Sequence, residues 1–323
     1  MSNLLTTSVG SFPKPPELQA ARNKMLRGEL GANELEQMER EATAFWIKTQ
    51  EELGIDILVD GEMDRGDMVT YFSELLDGFT ISGLVRSYGN RYYRKPIAVG
   101  PIGRKSPMTL KTWEYAQSLT DKPVKGMLTG PYTIAEWSFN EYYSTFEEFV
   151  MEVAKVVHAE AIDLEAAGAK YIQIDEPAAS TRPEEMELVA RSMEVVTEGL
   201  SAYTLTHICY GDFEAVFDDI NRIPVDNLDI ETANSNYSLL ELFRGRQYDK
   251  HLSLGVTDVH SHQIESLDEV KAGIRKALEI FSPGQLFIGP DCGLKTRTAA
   301  ESISKLKVMV QAVGEIKTEM GLS

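Results

Sequence analysis

The sequence predicts an α/β protein, a (β/α)8 TIM barrel with a β-hairpin inserted after the second strand. Three observations carry that expectation. The chain has eight short apolar or β-branched runs, amphipathic segments between most of them, and small, polar or ionisable residues where the runs end. The runs are residues 5–11, 55–62, 124–130, 171–176, 203–211, 227–231, 252–258 and 286–293. Strands alternating with helices pair in parallel through right-handed crossovers, and eight such units close into a barrel more naturally than they lie in one open sheet. An open doubly wound sheet is the competing architecture.

Taken in order, the first run leads into Pro13, Pro15 and Pro16, which mark a long first connection rather than a separate domain. Residues 34–52 are dense in charge at helical spacing, the pattern of a solvated helix face. After the second run, residues 79–86 and 92–99 flank a Gly89-Asn90 turn and predict the hairpin, at about residues 78–100; a ninth strand is the other reading of that segment. Between the third and fourth runs, residues 135–167 carry Phe146, Phe149, Val150, Val153, Val157, Ala161 and Leu164 at three- and four-residue intervals. Residues 267–281 repeat the pattern with Val270, Ile274, Ala277, Leu278 and Phe281. Residues 1–323 are therefore expected to form a single catalytic barrel domain.

Composition narrows the function classes. Of 323 residues, 43% are hydrophobic and 25% charged, a globular profile. The formal net charge of −18 is hard to reconcile with a surface that neutralises phosphates, so neither nucleic acid nor an anionic membrane is an expected partner. No run approaches the roughly 20 apolar residues that span a bilayer, and the amino terminus lacks a basic stretch followed by an apolar one, so a cytoplasmic location is expected.

The two cysteines, Cys209 and Cys292, do not make a disulfide framework, because a core of this size needs no such staple. Free cysteine is most often a small buried hydrophobe. Here, however, both sit at the carboxyl ends of predicted strands, the active-site face of a barrel. His207 lies two residues before Cys209, so on an extended strand their side chains project from the same side. Glu231 ends the next strand. Thiolate, imidazole and carboxylate together suit zinc better than magnesium or calcium, which take oxygen ligands. The competing reading makes His207 a hydrogen-bonded core histidine and Glu231 a salt-bridged rim residue. A second group of strand-end residues comprises Asp60, Glu62, Asp175, Glu176, Asp258, His260 and His262. Such acids can hold a substrate ammonium, although any one of them can equally be a helix cap or a loop salt bridge.

Six stretches, in this order, carry a resemblance. They are Thr7-Ser8-Val9-Gly10-Ser11-Phe12-Pro13, Asp60-Gly61-Glu62-Met63-Asp64-Arg65-Gly66-Asp67-Met68-Val69, Met127-Leu128-Thr129-Gly130-Pro131, Gln173-Ile174-Asp175-Glu176-Pro177-Ala178, Thr206-His207-Ile208-Cys209-Tyr210, and Pro290-Asp291-Cys292-Gly293-Leu294-Lys295-Thr296-Arg297. Over nearly its whole length the chain resembles the carboxyl-terminal catalytic half of cobalamin-independent methionine synthase. The resemblance implies Zn2+ bound by His207, Cys209, Glu231 and Cys292. It also implies that Ser11, Glu62 and Asp175 hold the amino-acid part of homocysteine, and that His260 lies near the reacting centre.

The resemblance leaves the methyl donor open. Long family members carry a second, amino-terminal barrel that helps bind the polyglutamate tail of methyltetrahydrofolate, and this sequence starts where their catalytic half starts. Short relatives resemble enzymes that use methylcobalamin or a corrinoid protein, and that donor is the expectation here, with methyltetrahydrofolate the alternative. Trp137 matches the position on which the long enzymes stack the pterin, and a core tryptophan is the rival reading. Two further classes stay open: transfer to another thiol such as coenzyme M, and a non-catalytic zinc-binding scaffold.

Overall fold

The computed structural model describes residues 3–86, 92–209 and 213–322. Along the chain the elements are β1 (Leu5–Thr6), α1 (Pro16–Leu26), α2 (Ala32–Leu53), α3 (Thr70–Leu75), β2 (Leu76–Arg86), β3 (Tyr92–Arg104), α4 (Leu110–Ser118), β4 (Gly126–Thr129) and α5 (Pro131–Glu136). They continue with β5 (Phe139–Asn140), α6 (Phe146–Ala166), β6 (Tyr171–Asp175), α7 (Met186–Thr197), β7 (Tyr203–Ile208), α8 (Phe213–Ile220), β8 (Asn227–Ile230), β9 (His251–Gly255), α9 (Leu267–Leu278), β10 (Leu286–Gly289) and α10 (Ala299–Met320). The class is the α/β barrel that the alternation predicts, with seven of its strands in one sheet.

Contacts divide the chain into two compact units. The first comprises Met1–Asp64, Thr112–Lys125 and Asn227–Ser323. In it β1, β10, β9 and β8 lie side by side, every pair parallel. The predicted second strand is reduced to two isolated parallel bridges, Thr7 to Ile57 and Leu58 to Val124. Its start combines side-chain and backbone bonding: the Thr6 N–H and hydroxyl both donate to Asp56 Oδ2, at 2.8 and 2.9 Å, and the Thr6 carbonyl accepts from Asp56 N and Ile57 N. Those bridges join the segment to the end of β1 on one side and to the residues before β4 on the other, so the open-sheet alternative falls. Helix α2 closes on Gly54, whose φ of 87° is a left-handed cap that a side chain would resist.

The second unit comprises Arg65–Lys111 and Gly126–Asp226. Here β4, β6 and β7 pair in parallel. The inserted hairpin is present as the antiparallel pair β2 and β3, longer at both ends than the sequence suggests, and β5 adds to it in parallel. Its predicted Gly89-Asn90 turn lies outside the described residues. Fully buried Glu160 of α6 ties the base of β3 down, accepting from Met108 N at 2.8 Å and Thr109 N at 2.7 Å while pairing with Arg104 at 2.9 Å.

The predicted amphipathic stretch 135–167 resolves into α5, β5 and α6 rather than one element. Thr145 starts α6 by accepting from Glu148 N, and the buried face of α6 is the expected one, with Phe149, Val150, Val153, Val157, Ala161 and Leu164 inside. Strands β4, β8 and β10 are buried at every residue, the signature of parallel strands covered on both faces.

Candidate metal centre and active site

Four side chains converge. One ligand-capable atom from each of His207, Cys209, Glu231 and Cys292 lies within 4.8 Å of all the others. His207 is on β7 with Cys209 just past its end, and Glu231 directly follows β8. Cys292 follows β10 by three residues. His207, Cys209 and Glu231 are buried, whereas Cys292 is half-buried, so the group opens to solvent on its side. Alternation along β7 explains the first pair, and the ends of parallel strands explain the rest.

The donor set fits zinc. Two soft thiolates, an imidazole and a carboxylate are donors that zinc takes in four-coordinate sites, and Zn2+ plus three anionic ligands totals −1. Glu231 adds a sharper observation. Its Oε2 accepts from Asn234 Nδ2 at 2.7 Å, while Oε1 is buried and accepts no hydrogen bond among the described residues. His260 Nε2 stands 3.6 Å from Oε1, beyond hydrogen-bond distance, and the carboxylate raises the histidine's pKa. A buried carboxylate oxygen without a donor is costly, and a cation removes that cost.

Asp291, fully buried beside Cys292, holds the segment after Glu231. Its Oδ1 accepts from Thr232 N at 2.9 Å and Ala233 N at 2.8 Å, and its Oδ2 from Asn234 N at 2.8 Å. Gly255 leaves room for it: a Cβ there would stand 2.2 Å from Asp291 Oδ1. The sequence reading missed both Asn234 and Asp291. The available signals were an acid directly preceding a ligand and an amide three residues after one.

The remaining candidates separate by what they touch. Ser11 is buried against Gly293, where a Cβ would lie 2.1 Å from its hydroxyl, and its carbonyl accepts from Leu294 N at 2.7 Å. Glu62 has a left-handed φ of 58°, held by its N–H donating to Asp60 Oδ1 at 2.8 Å. Asp175 ends β6, 8% exposed, and accepts from Gln173 Nε2 at 2.8 Å. Trp137 is half-buried, at the carboxyl end of α5.

Other strand-end residues are structural. Glu176 turns onto the start of α5, accepting from Tyr132 N at 3.0 Å, Thr133 N at 2.8 Å and the Thr133 hydroxyl at 2.6 Å. Burial raises its pKa to about 7. Gly130 is required there, because a Cβ would fall 2.1 Å from the Glu176 carboxyl carbon. Asp258 accepts from His260 N at 2.8 Å, and exposed His262 pairs with Glu301 at 2.8 Å.

A parallel α/β barrel presenting two thiols, an imidazole and a carboxylate at its strand ends defines a thiol-handling metalloenzyme class. The family model described as the cobalamin-independent synthase catalytic domain matches residues 4–315, and the chain belongs to that family. It is 37% identical to the methionine synthase of Sulfolobus acidocaldarius, over 98% of this chain and 93% of that one. It is 40% identical to the 5-methyltetrahydropteroyltriglutamate–homocysteine methyltransferase of Ralstonia pickettii, again over 98% of this chain but only 42% of the relative. The chain thus spans nearly all of the short relatives and less than half of the long ones. Among solved structures, the B12-independent methionine synthase of Shewanella sp. W3-18-1, in complex with selenomethionine, superposes with a TM-score of 0.86 at 29% identity, covering 99% of both chains.

The family corrects one expectation, the corrinoid or methylcobalamin donor. Its members are cobalamin-independent, and the long relatives are named for a methyltetrahydropteroyltriglutamate donor. The expectation leaned on the likeness of short relatives to corrinoid-using enzymes, which the family match overrides. Around Glu62 the local field is mixed. Lys14, its pKa lowered to about 8 chiefly by burial, also feels Glu62, Arg22 and Lys295. Among the described residues, no helix is long and apolar enough to cross a membrane.

Proposed function

We propose that the protein makes methionine by moving the methyl group of a 5-methyltetrahydropteroylglutamate to the thiol of homocysteine. The carrying observation is the four-residue cluster of His207, Cys209, Glu231 and Cys292. A thiol of pKa near 8.5 is only a few per cent ionised at pH 7, and zinc, when bound, supplies the charge that keeps it a thiolate. Cys209, Cys292 and His207 would hold the metal as its softer donors, with Glu231 as the harder and more exchangeable one. In the transfer a sulfur–carbon bond forms as the bond from N5 of the pterin to the methyl carbon breaks, and the released N5 takes a proton. His260, beside Glu231, is the group assigned to supply that proton.

The amino-acid end of homocysteine falls to Glu62 and Asp175 for the ammonium group, with Ser11 and its backbone alongside. Trp137 is the proposed stacking surface for the pterin. The selenomethionine complex of the Shewanella relative supports an amino-acid pocket of this kind. The reaction is assigned to the cytoplasm. The test is methionine formation from homocysteine and methyltetrahydropteroyltriglutamate by zinc-loaded protein, with methylcobalamin as the comparison donor. Turnover with the pterin donor that stops on chelation is the expected result. No methionine from it, with full zinc present, overturns the reading.

A further inference from the structure

The Glu231 carboxylate is held asymmetrically. Asn234 Nδ2 donates to Oε2 at 2.7 Å, and Oε1 is buried without a hydrogen bond among the described residues. Asn234 is not free to drift, because its own N–H donates to Asp291 Oδ2 at 2.8 Å. Asp291 also accepts from the two intervening residues, Thr232 and Ala233, so the whole turn from Glu231 to Asn234 is fixed. The Thr232 hydroxyl adds a bond to the carbonyl of Gly255, at the end of β9.

A carboxylate can ligate through one oxygen or chelate through two. Chelation here requires Oε2 to give up its amide donor. We infer that Asn234 is a positioning residue that confines Glu231 to one metal-facing oxygen, Oε1, and thereby makes it the exchangeable member of the ligand set. A one-oxygen carboxylate leaves more readily than a chelating one, because a single bond must break when a thiolate arrives. The inference deepens the proposed function and rests on its zinc site.

Cobalt(II), a visible stand-in for zinc, tests it without turnover. Apo-protein of the wild type and of Asn234→Ala and Asn234→Leu is loaded with one equivalent of Co2+, and d–d absorption is recorded before and during titration with homocysteine. The side chain of Asn234 is exposed to solvent at the residue level, so both variants should keep the fold, which thermal melting checks. Four-coordinate wild-type metal absorbs strongly. Release of Oε2 in the variants should raise the coordination number, cut the d–d intensity at least twofold, and weaken homocysteine binding about tenfold. Variants that match the wild type within twofold in both readings overturn the inference. So do variants that lose the metal, because Asn234 would then be retaining Glu231 rather than limiting it. Wild-type protein that takes up no Co2+ or zinc sinks the zinc reading and this inference together, whereas wild-type uptake with unaltered variants sinks the inference alone.

Discussion

At the scale of single residues, the metal cluster works by subtraction. Cys292 is the most accessible of the four candidate ligands, and replacing its thiolate by a neutral hydroxyl would remove one soft donor and one negative charge. Cys292→Ser is expected to lose both zinc and methyl transfer, as measured by elemental analysis alongside a methionine assay. Retained zinc with full turnover would mean that the ligand set is wrong. The pocket acids should behave differently. Asp175→Asn and Glu62→Gln are expected to keep zinc but weaken homocysteine by about one to two powers of ten, since one charge-assisted contact contributes roughly 1.5 to 3 kcal/mol. Calorimetric titration reads this directly, and unchanged affinity in both variants would remove the ammonium assignment.

What could be read from residue types follows the same division. His207 and Cys209 were legible because two-residue spacing on a strand is a geometric fact, and Glu231 because it terminates an apolar run. Glu176 misled for the opposite reason. Its strand-end position is that of a site residue, but its carboxylate turns onto the first N–H groups of α5, and only the fold shows that direction. Asn234 carried only the weak signal of an amide three residues after a candidate ligand, because nothing in a turn sequence says which oxygen of a neighbouring acid an amide will reach.

Among the elements, the strands were the more legible: seven of the eight runs hold a strand of the parallel sheet, and the second holds only isolated bridges. Three- and four-residue apolar spacing located α6 and α9, whereas the break that creates β5 depends on Pro131 starting one helix and Thr145 starting the next. The caps make a test. Helix α10 begins at Thr298, which accepts from Glu301 N at 3.2 Å while Glu301 returns a bond to Thr298 N at 2.8 Å. Thr298→Ala should cost about 1 kcal/mol of unfolding free energy, read from urea denaturation. An effect below about 0.3 kcal/mol would show that the reciprocal bonds are compensated elsewhere.

For the whole molecule, acidity is felt through particular buried groups rather than the total. Glu39 pairs with Arg22 at 2.8 Å, yet burial, together with Asp64 and Glu36, raises its pKa to about 7. A carboxyl whose folded pKa is raised contributes stability that is full below the unfolded value near 4.5 and is lost as pH rises through about 7. Discounted for solvent screening, the loss is on the order of 1 kcal/mol. Glu39→Gln should therefore flatten the stability profile between pH 4.5 and 7, measured by denaturant melts at several pH values. Parallel profiles for variant and wild type would refute the assignment.

The second strand, thinned to the bridges at Ile57 and Leu58, has a consequence for motion. Ile57 and Leu58 are buried and bonded on both sides, but the strand shares fewer backbone pairs with its neighbours than β8 or β10, so its amides should exchange with heavy water sooner. Just beyond it stand Asp60, Gly61 and Glu62, whose left-handed turn is a small store of strain at the place where the substrate's ammonium is expected. Homocysteine binding should then slow exchange most at residues 57–62, as a latch tightens the loosest stave of a cask. Uniform slowing across all the strands would show that the site is already rigid before the substrate arrives.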